Sequence, residues 1–78
     1  MSLKPMNMKQ LRERTGLKTV DVASRLGIGE ATVRGWEKGK GTPNFLLIEP
    51  LIELYGVTLQ ELGQCIRQTL REAGRLND

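Results

Sequence analysis

The chain has 78 residues, with 12 Lys and Arg against 9 Asp and Glu and a formal net charge of +3. That length supports one domain around one small, marginal core, to which a dimer interface would add appreciable stability. No His and a single Cys, with no carboxylate cluster or metal-ligand spacing, exclude an intrachain disulfide and leave no basis for an enzyme, a metal site or a cofactor.

There is no signal peptide and no apolar run near about twenty residues, which points to a reducing cytoplasm and no membrane partner. The charge is unevenly spread. Residues 1–42 hold nine Lys and Arg against Glu13, Asp21, Glu30 and Glu37, a net +5; residues 43–78 hold three Arg against five acids, a net −2. A basic half joined to a mildly acidic one suits a polyanion-binding face backed by a packing or assembly region.

Residues 1–5, MSLKP, read as a disordered leader. A first helix is predicted from Met6 or Asn7 to about Thr15, with Met8, Leu11 and Gln10 inward and Gly16 closing it. The next stretch, TVDVASRLGIGEATVRGWEK from Thr19 to Lys38, organises the chain. Its apolar residues Val22, Leu26, Ile28, Val33 and Trp36 describe two short helices meeting steeply through a tight turn. Ala23 is small where the helices cross, and Gly27 admits a left-handed turn conformation. The second helix is predicted from Thr19 or Val20 to Leu26, with the Thr19 hydroxyl as its cap. The third runs from Glu30 to about Lys38. Val33 and Trp36 share one face, which assigns Trp36 to the core rather than to base stacking.

Lys38-Gly39-Lys40-Gly41-Thr42-Pro43 is a basic loop whose lysines and glycine amides suit a phosphate, marking Lys38, Lys40 and Gly41 as contacts. It lacks the spacing of a nucleotide-binding P-loop. Asn44 is predicted to cap a fourth helix with Phe45, Ile48, Leu51, Ile52 and Tyr55 inward. Pro50 implies either a separate first turn or a helix that begins near Glu49. Thr58 and Glu61 form a capping box for the last helix, along which Leu59, Leu62, Ile66, Thr69 and Ala73 recur, with Leu70 beside them and Gly74 as terminator. Gly63 interrupts the stripe. Its length favours a second subunit over folding back, so Leu46, Leu47, Leu62, Ile66 and Leu70 are the expected dimer interface.

With its flanks LRERTGLK, WEKGKGTP and GVTLQEL, the Thr19–Lys38 stretch resembles the helix-turn-helix of the phage repressor and Cro type, the xenobiotic-response-element family of bacterial regulators, over residues 6–62. The resemblance implies an all-α, five-helix, lambda-repressor-like DNA-binding domain. Residues 63–78 would then form an extension of the last helix and a tail that serve dimerisation. It also implies a structural ion pair between Arg12 and Glu37, each charge satisfying the other. Glu30, Ala31 and Gly35 align with the family's base-facing positions, flanked by Thr32 and Arg34. Glu30 suits cytosine N4 and Ala31 a thymine methyl, while Gly35 offers no side chain but allows close approach to the groove floor. Lys18 and Thr19 replace the family's usual Ser or Thr and Gln, and are the corresponding phosphate contacts.

The leading reading is a sequence-specific regulator, a repressor, that binds an inverted repeat in double-stranded DNA as a homodimer, with no small-molecule effector indicated. The alternative is a protein-interaction module of the same fold, antitoxin-like or an adaptor, to which Glu30 and Gly35 lend weight. Single-stranded or RNA binding lacks an aromatic platform once Phe45 and Tyr55 are placed in the core.

Overall fold

A computed structural model describes residues 5–76. The leader expected at residues 1–5 therefore lies outside the described residues except for Pro5, as do Asn77 and Asp78 of the tail. Five α-helices follow in order: α1 (Met8–Thr15), α2 (Thr19–Leu26), α3 (Glu30–Glu37), α4 (Phe45–Tyr55) and α5 (Leu59–Glu72), with no strand among the described residues. α2 and α3 pack on each other, and α1 packs on α3, α4 and α5. Met8, Leu11, Val22, Val33, Leu51 and Leu62 are fully buried, and Trp36 and Tyr55 nearly so.

Three helix starts, those of α1, α4 and α5, carry side-chain caps. The Asn7 Oδ1 accepts the Gln10 N–H at 2.8 Å while the Gln10 Oε1 accepts the Asn7 N–H at 2.9 Å. Gln10 is thus an exposed capping residue, not an inward one. Thr58 and Glu61 make the same reciprocal pair at the start of α5, at 3.1 and 2.9 Å. Each such pair satisfies two amides that the helix itself leaves without partners. At α2 the cap differs from expectation. Lys18 is the N-cap and its N–H donates to the Asp21 carboxylate at 2.8 Å, while Thr19 is the first helical residue and turns its hydroxyl elsewhere. Gly27, at φ 69°, ends α2 in the left-handed conformation, and Ile28 N–H returns to the Ala23 carbonyl at 3.0 Å. This closes the turn that aims α3.

Three expectations for α4 and α5 need correction. First, α4 is continuous from Phe45, capped by Asn44 Oδ1 on Leu46 N–H at 2.9 Å, and Pro50 lies inside it. Pro50 has no N–H to give the Leu46 carbonyl, but both residues are exposed, so water can donate to that carbonyl instead. Second, Phe45 is 88% exposed and Leu59 64% exposed, so neither belongs to the core. Ala73 is exposed as well. Phe45 precedes the turns of α4 that reach the core, and Leu59 sits on the flank of α5.

Third, α5 folds back on its own domain. Leu62, Cys65, Gln68 and Thr69 form its buried face. Thr69 Oγ1 accepts the Met8 N–H at 2.8 Å and donates to the Cys65 carbonyl at 3.0 Å. Glu72 accepts from the Asn7 side chain at 2.8 Å and from the Gln68 amide at 3.0 Å. Leu62 is wholly buried by its own chain and offers no surface to a partner, which removes it from the expected dimer interface. Leu47, Ile66 and Leu70 are half-buried, and Leu46 is 80% exposed.

Candidate nucleic-acid interface

The brace beneath the site is an ion pair. Arg12 donates from Nε to Glu37 Oε2 at 2.7 Å and from Nη2 to Glu37 Oε1 at 3.0 Å, and Nη1 reaches the Leu17 carbonyl at 3.0 Å. Both side chains are about nine-tenths covered, at 12% and 9% exposed. The hydrogen bond to Glu37 holds the Arg12 guanidinium's pKa above its ordinary value, against the opposing effect of burial. A paired, bidentate contact of this kind ties the start of the chain to the end of α3. Tyr55 lies within the field of the same pair, and burial pushes its phenol up to about 12.

Above the brace, α3 presents Ala31, Thr32 and Arg34 as exposed residues, with Glu30 and Gly35 half-buried. Glu30 is already engaged within the chain. Its Oε2 accepts the Thr19 hydroxyl at 2.6 Å and Arg34 Nη2 at 2.9 Å. The Thr19 bond, and then Arg34, hold the Glu30 carboxylate below the usual carboxylate range. The exposed i,i+4 pair is worth little by itself. Its geometric effect is larger: the acid that would face a base edge is turned onto Thr19 and steadies the guanidinium.

Thr19, Arg34 and Lys38 line one open groove together with Lys9, Arg12 and Glu37. Lys9 was not among the sequence-derived candidates. It occupies the second position of α1, and only the packing of α1 against α3 brings it to this groove. Lys18 is exposed at the start of α2, with its amide committed to Asp21.

The loop after α3 also holds less free backbone than its glycines suggest. The amides of Lys38, Gly39 and Lys40 donate to the carbonyls of Arg34, Trp36 and Gly35 at 3.0, 3.2 and 2.9 Å. They terminate the helix and are not available to a phosphate. Gly39 is buried at φ 75°, and a Cβ there would lie 2.5 Å from the Ala73 Cβ. Glycine is therefore required where the loop passes α5. The exposed side chains of Lys38 and Lys40 and the exposed Gly41 remain the anion-facing parts.

Gly35 is different. A Cβ there would meet nothing within 4 Å, and its φ is not positive. Mid-helix glycine costs about 1 kcal/mol relative to alanine, and nothing inside this chain offsets it.

A family profile described as a helix-turn-helix domain matches residues 7–65. The chain belongs to the helix-turn-helix domain family. The turn at Gly27 and the outward α3 are the features that define it here. This helix-turn-helix chain is also 34% identical over 55 residues to the cryptic phage CTXphi transcriptional repressor RstR of Vibrio cholerae, a match that covers 70% of this chain and 50% of that protein. The chain thus spans about half the length of that relative. No solved structure matches it. Among the described residues, no helix is long and apolar enough to cross a membrane, and no group of three or more His, Cys, Asp and Glu could hold a metal ion.

Proposed function

We propose that this helix-turn-helix chain is a sequence-specific regulator of transcription, a repressor, that lays α3 along the major groove of double-stranded DNA. The observation that carries this reading is the groove where Arg34 of α3 stands with Lys9, Thr19 and Lys38. A cationic, open surface beside an outward helix N-terminal half is what phosphate contacts and base readout require. The similarity to a phage transcriptional repressor supports it.

Affinity comes from Lys9, Lys38 and Lys40 on phosphates, with Lys18 and Thr19 at the start of α2 fixing register. Base readout falls on Arg34, with Ala31 and Thr32 as short contacts. Glu30 orients Arg34 and restricts which base edges the pair tolerates. Gly35 lets the α3 backbone approach the groove closely, which accounts for a helix-weakening residue with no internal reason. A two-fold dimer would set two α3 helices about 34 Å apart on an inverted repeat. Selection of duplexes from a random pool, followed by salt-controlled titration of the wild type and Arg34→Ala, tests the whole reading. The expected results are a palindromic site and, for the variant, relaxed preference at one base pair per half-site. Affinity unchanged by Arg34→Ala would overturn it.

One observation favours the alternative, a protein-interaction module. Phe45 and Leu46 are open to water beside a groove lined by Ile48, Glu49, Ile52 and Leu59. A gel shift on random duplex at low salt separates the readings, because a DNA-binding chain shows salt-sensitive non-specific binding.

A further inference from the structure

The groove that holds Lys9 and Lys38 is lined from α1, α2 and α3. The segments that bear these lysines nevertheless rest on a further element, the last turn of α5. At the start of α1 the Met8 N–H, an amide that the helix cannot satisfy from within, donates to Thr69 Oγ1 at 2.8 Å in a buried bond. The Asn7 side chain, one residue earlier, donates to Glu72 at 2.8 Å. Lys9 follows directly. After α3, buried Gly39 packs on the same turn. A Cβ built on it would stand 2.5 Å from the Ala73 Cβ, 3.3 Å from the Thr69 carbonyl oxygen and 3.9 Å from the Leu70 Cα. Lys38 and Lys40 flank Gly39, and both are exposed.

Thr69 thus meets both segments, its hydroxyl on one and its carbonyl on the other. The hydroxyl also donates to the Cys65 carbonyl at 3.0 Å, which fixes its orientation. The Arg12–Glu37 pair joins α1 to α3 at a single place, and a single joint leaves a pivot. The α5 turn adds a second joint, next in sequence to Lys9 on one side and to Lys38 and Lys40 on the other. Two joints fix how far apart the lysines stand, and charges that must meet a regular array of phosphates together need a fixed separation.

We propose that Thr69 and Ala73 are positioning residues for DNA binding: through Met8 and Gly39 they set the spacing at which Lys9 and the Lys38–Lys40 pair engage phosphates together. The inference rests on the proposed function and gives α5 a part in the phosphate grip. Each phosphate neutralised on duplex DNA contributes about 0.9 to the fall of log K with log salt, which at about 0.1 M salt is roughly tenfold in affinity. A loosened turn therefore lowers the salt slope as well as the affinity. A turn that only stabilises the fold would shift the melting temperature and leave the slope as it was.

The test is anisotropy titration of a random-sequence duplex over a salt series, at a temperature well below the melts, with thermal melts alongside. Thr69→Val keeps the shape but removes the acceptor of the Met8 N–H. It should bind about tenfold or more weakly, with a slope smaller by about 1 or 2. Thr69→Ser keeps the hydroxyl and should bring back the wild-type slope. Gly39→Ala should also lower the slope, and adding Ala73→Gly, which moves the methyl to the other side of the contact, should recover part of it. This second arm decides where the buried amide left by Thr69→Val brings that variant's melt too near the assay temperature. Val57→Ala, a core change at the other end of α5, should melt lower and keep the slope. Thr69→Val and Gly39→Ala proteins that melt lower yet keep the wild-type slope, as Val57→Ala does, overturn this inference alone. A wild type without salt-sensitive duplex binding overturns it together with the DNA reading.

Discussion

The α3 face and the α4–α5 flank are both open to water, but they are finished in opposite ways. At the α3 face the polar groups already hold one another: Thr19 of α2 donates to Glu30, and Glu30 receives Arg34. On the flank, Phe45, Leu46 and Leu59 stand exposed with only apolar neighbours and Glu49 along the groove they share. A polar face can be held ready in water because its partners substitute for solvent until a ligand replaces them. An apolar flank gains only when something dry covers it. The first suits a polyanion met and left in salt; the second suits a protein contact.

The largest expected effect removes the support common to both. Arg12→Ala strands Glu37 and should cost about 3 kcal/mol in urea denaturation, weakening DNA binding and dimerisation together. An effect on only one of them would show that the brace belongs to that face alone. Next in size, Arg34→Ala should reduce affinity for the selected duplex about tenfold or more, with dimerisation and melting temperature unchanged. Phe45→Ser inverts that pattern: stability within about 0.5 kcal/mol of the wild type, as for an exposed site, weaker self-association, and non-specific duplex binding per monomer retained.

The last expected effect is alkaline. The Tyr55 phenol is raised to about 12 in the folded chain against an ordinary 10, so the contribution is whole below pH 10 and is lost as pH rises through 12. Urea midpoints between pH 9 and 11 should therefore fall more steeply for the wild type than for Tyr55→Phe. Equal slopes would show that the phenol is not buried as described.

The helix-turn-helix was legible because local rules agree there. Val22 and Leu26 in α2, and Val33 and Trp36 in α3, keep helical spacing, and Gly27 sits where a left-handed residue closes the turn. The capping box at Thr58 is likewise a matter of residues three apart. What was not legible depends on packing between distant segments. Nothing in the spacing of Thr19 and Glu30, eleven positions apart, shows that their side chains meet; the crossing of α2 and α3 does that. Lys9 reaches the groove for the same kind of reason. Pro50 misled because its cost depends on whether the Leu46 carbonyl faces water, which composition does not state. The stripe on α5 mixed two faces, so Leu62 was read with Ile66 and Leu70 although only the latter two lie towards the open side.

The clasp between the far end of α5 and the beginning of α1 has one more consequence. The similarity shared with the family ends at residue 65, yet Thr69 and Glu72 hold Met8 and Asn7 in place. The matched segment and the mechanical unit therefore end at different residues: a fragment cut at residue 65 would lose the buckle that secures its own first helix.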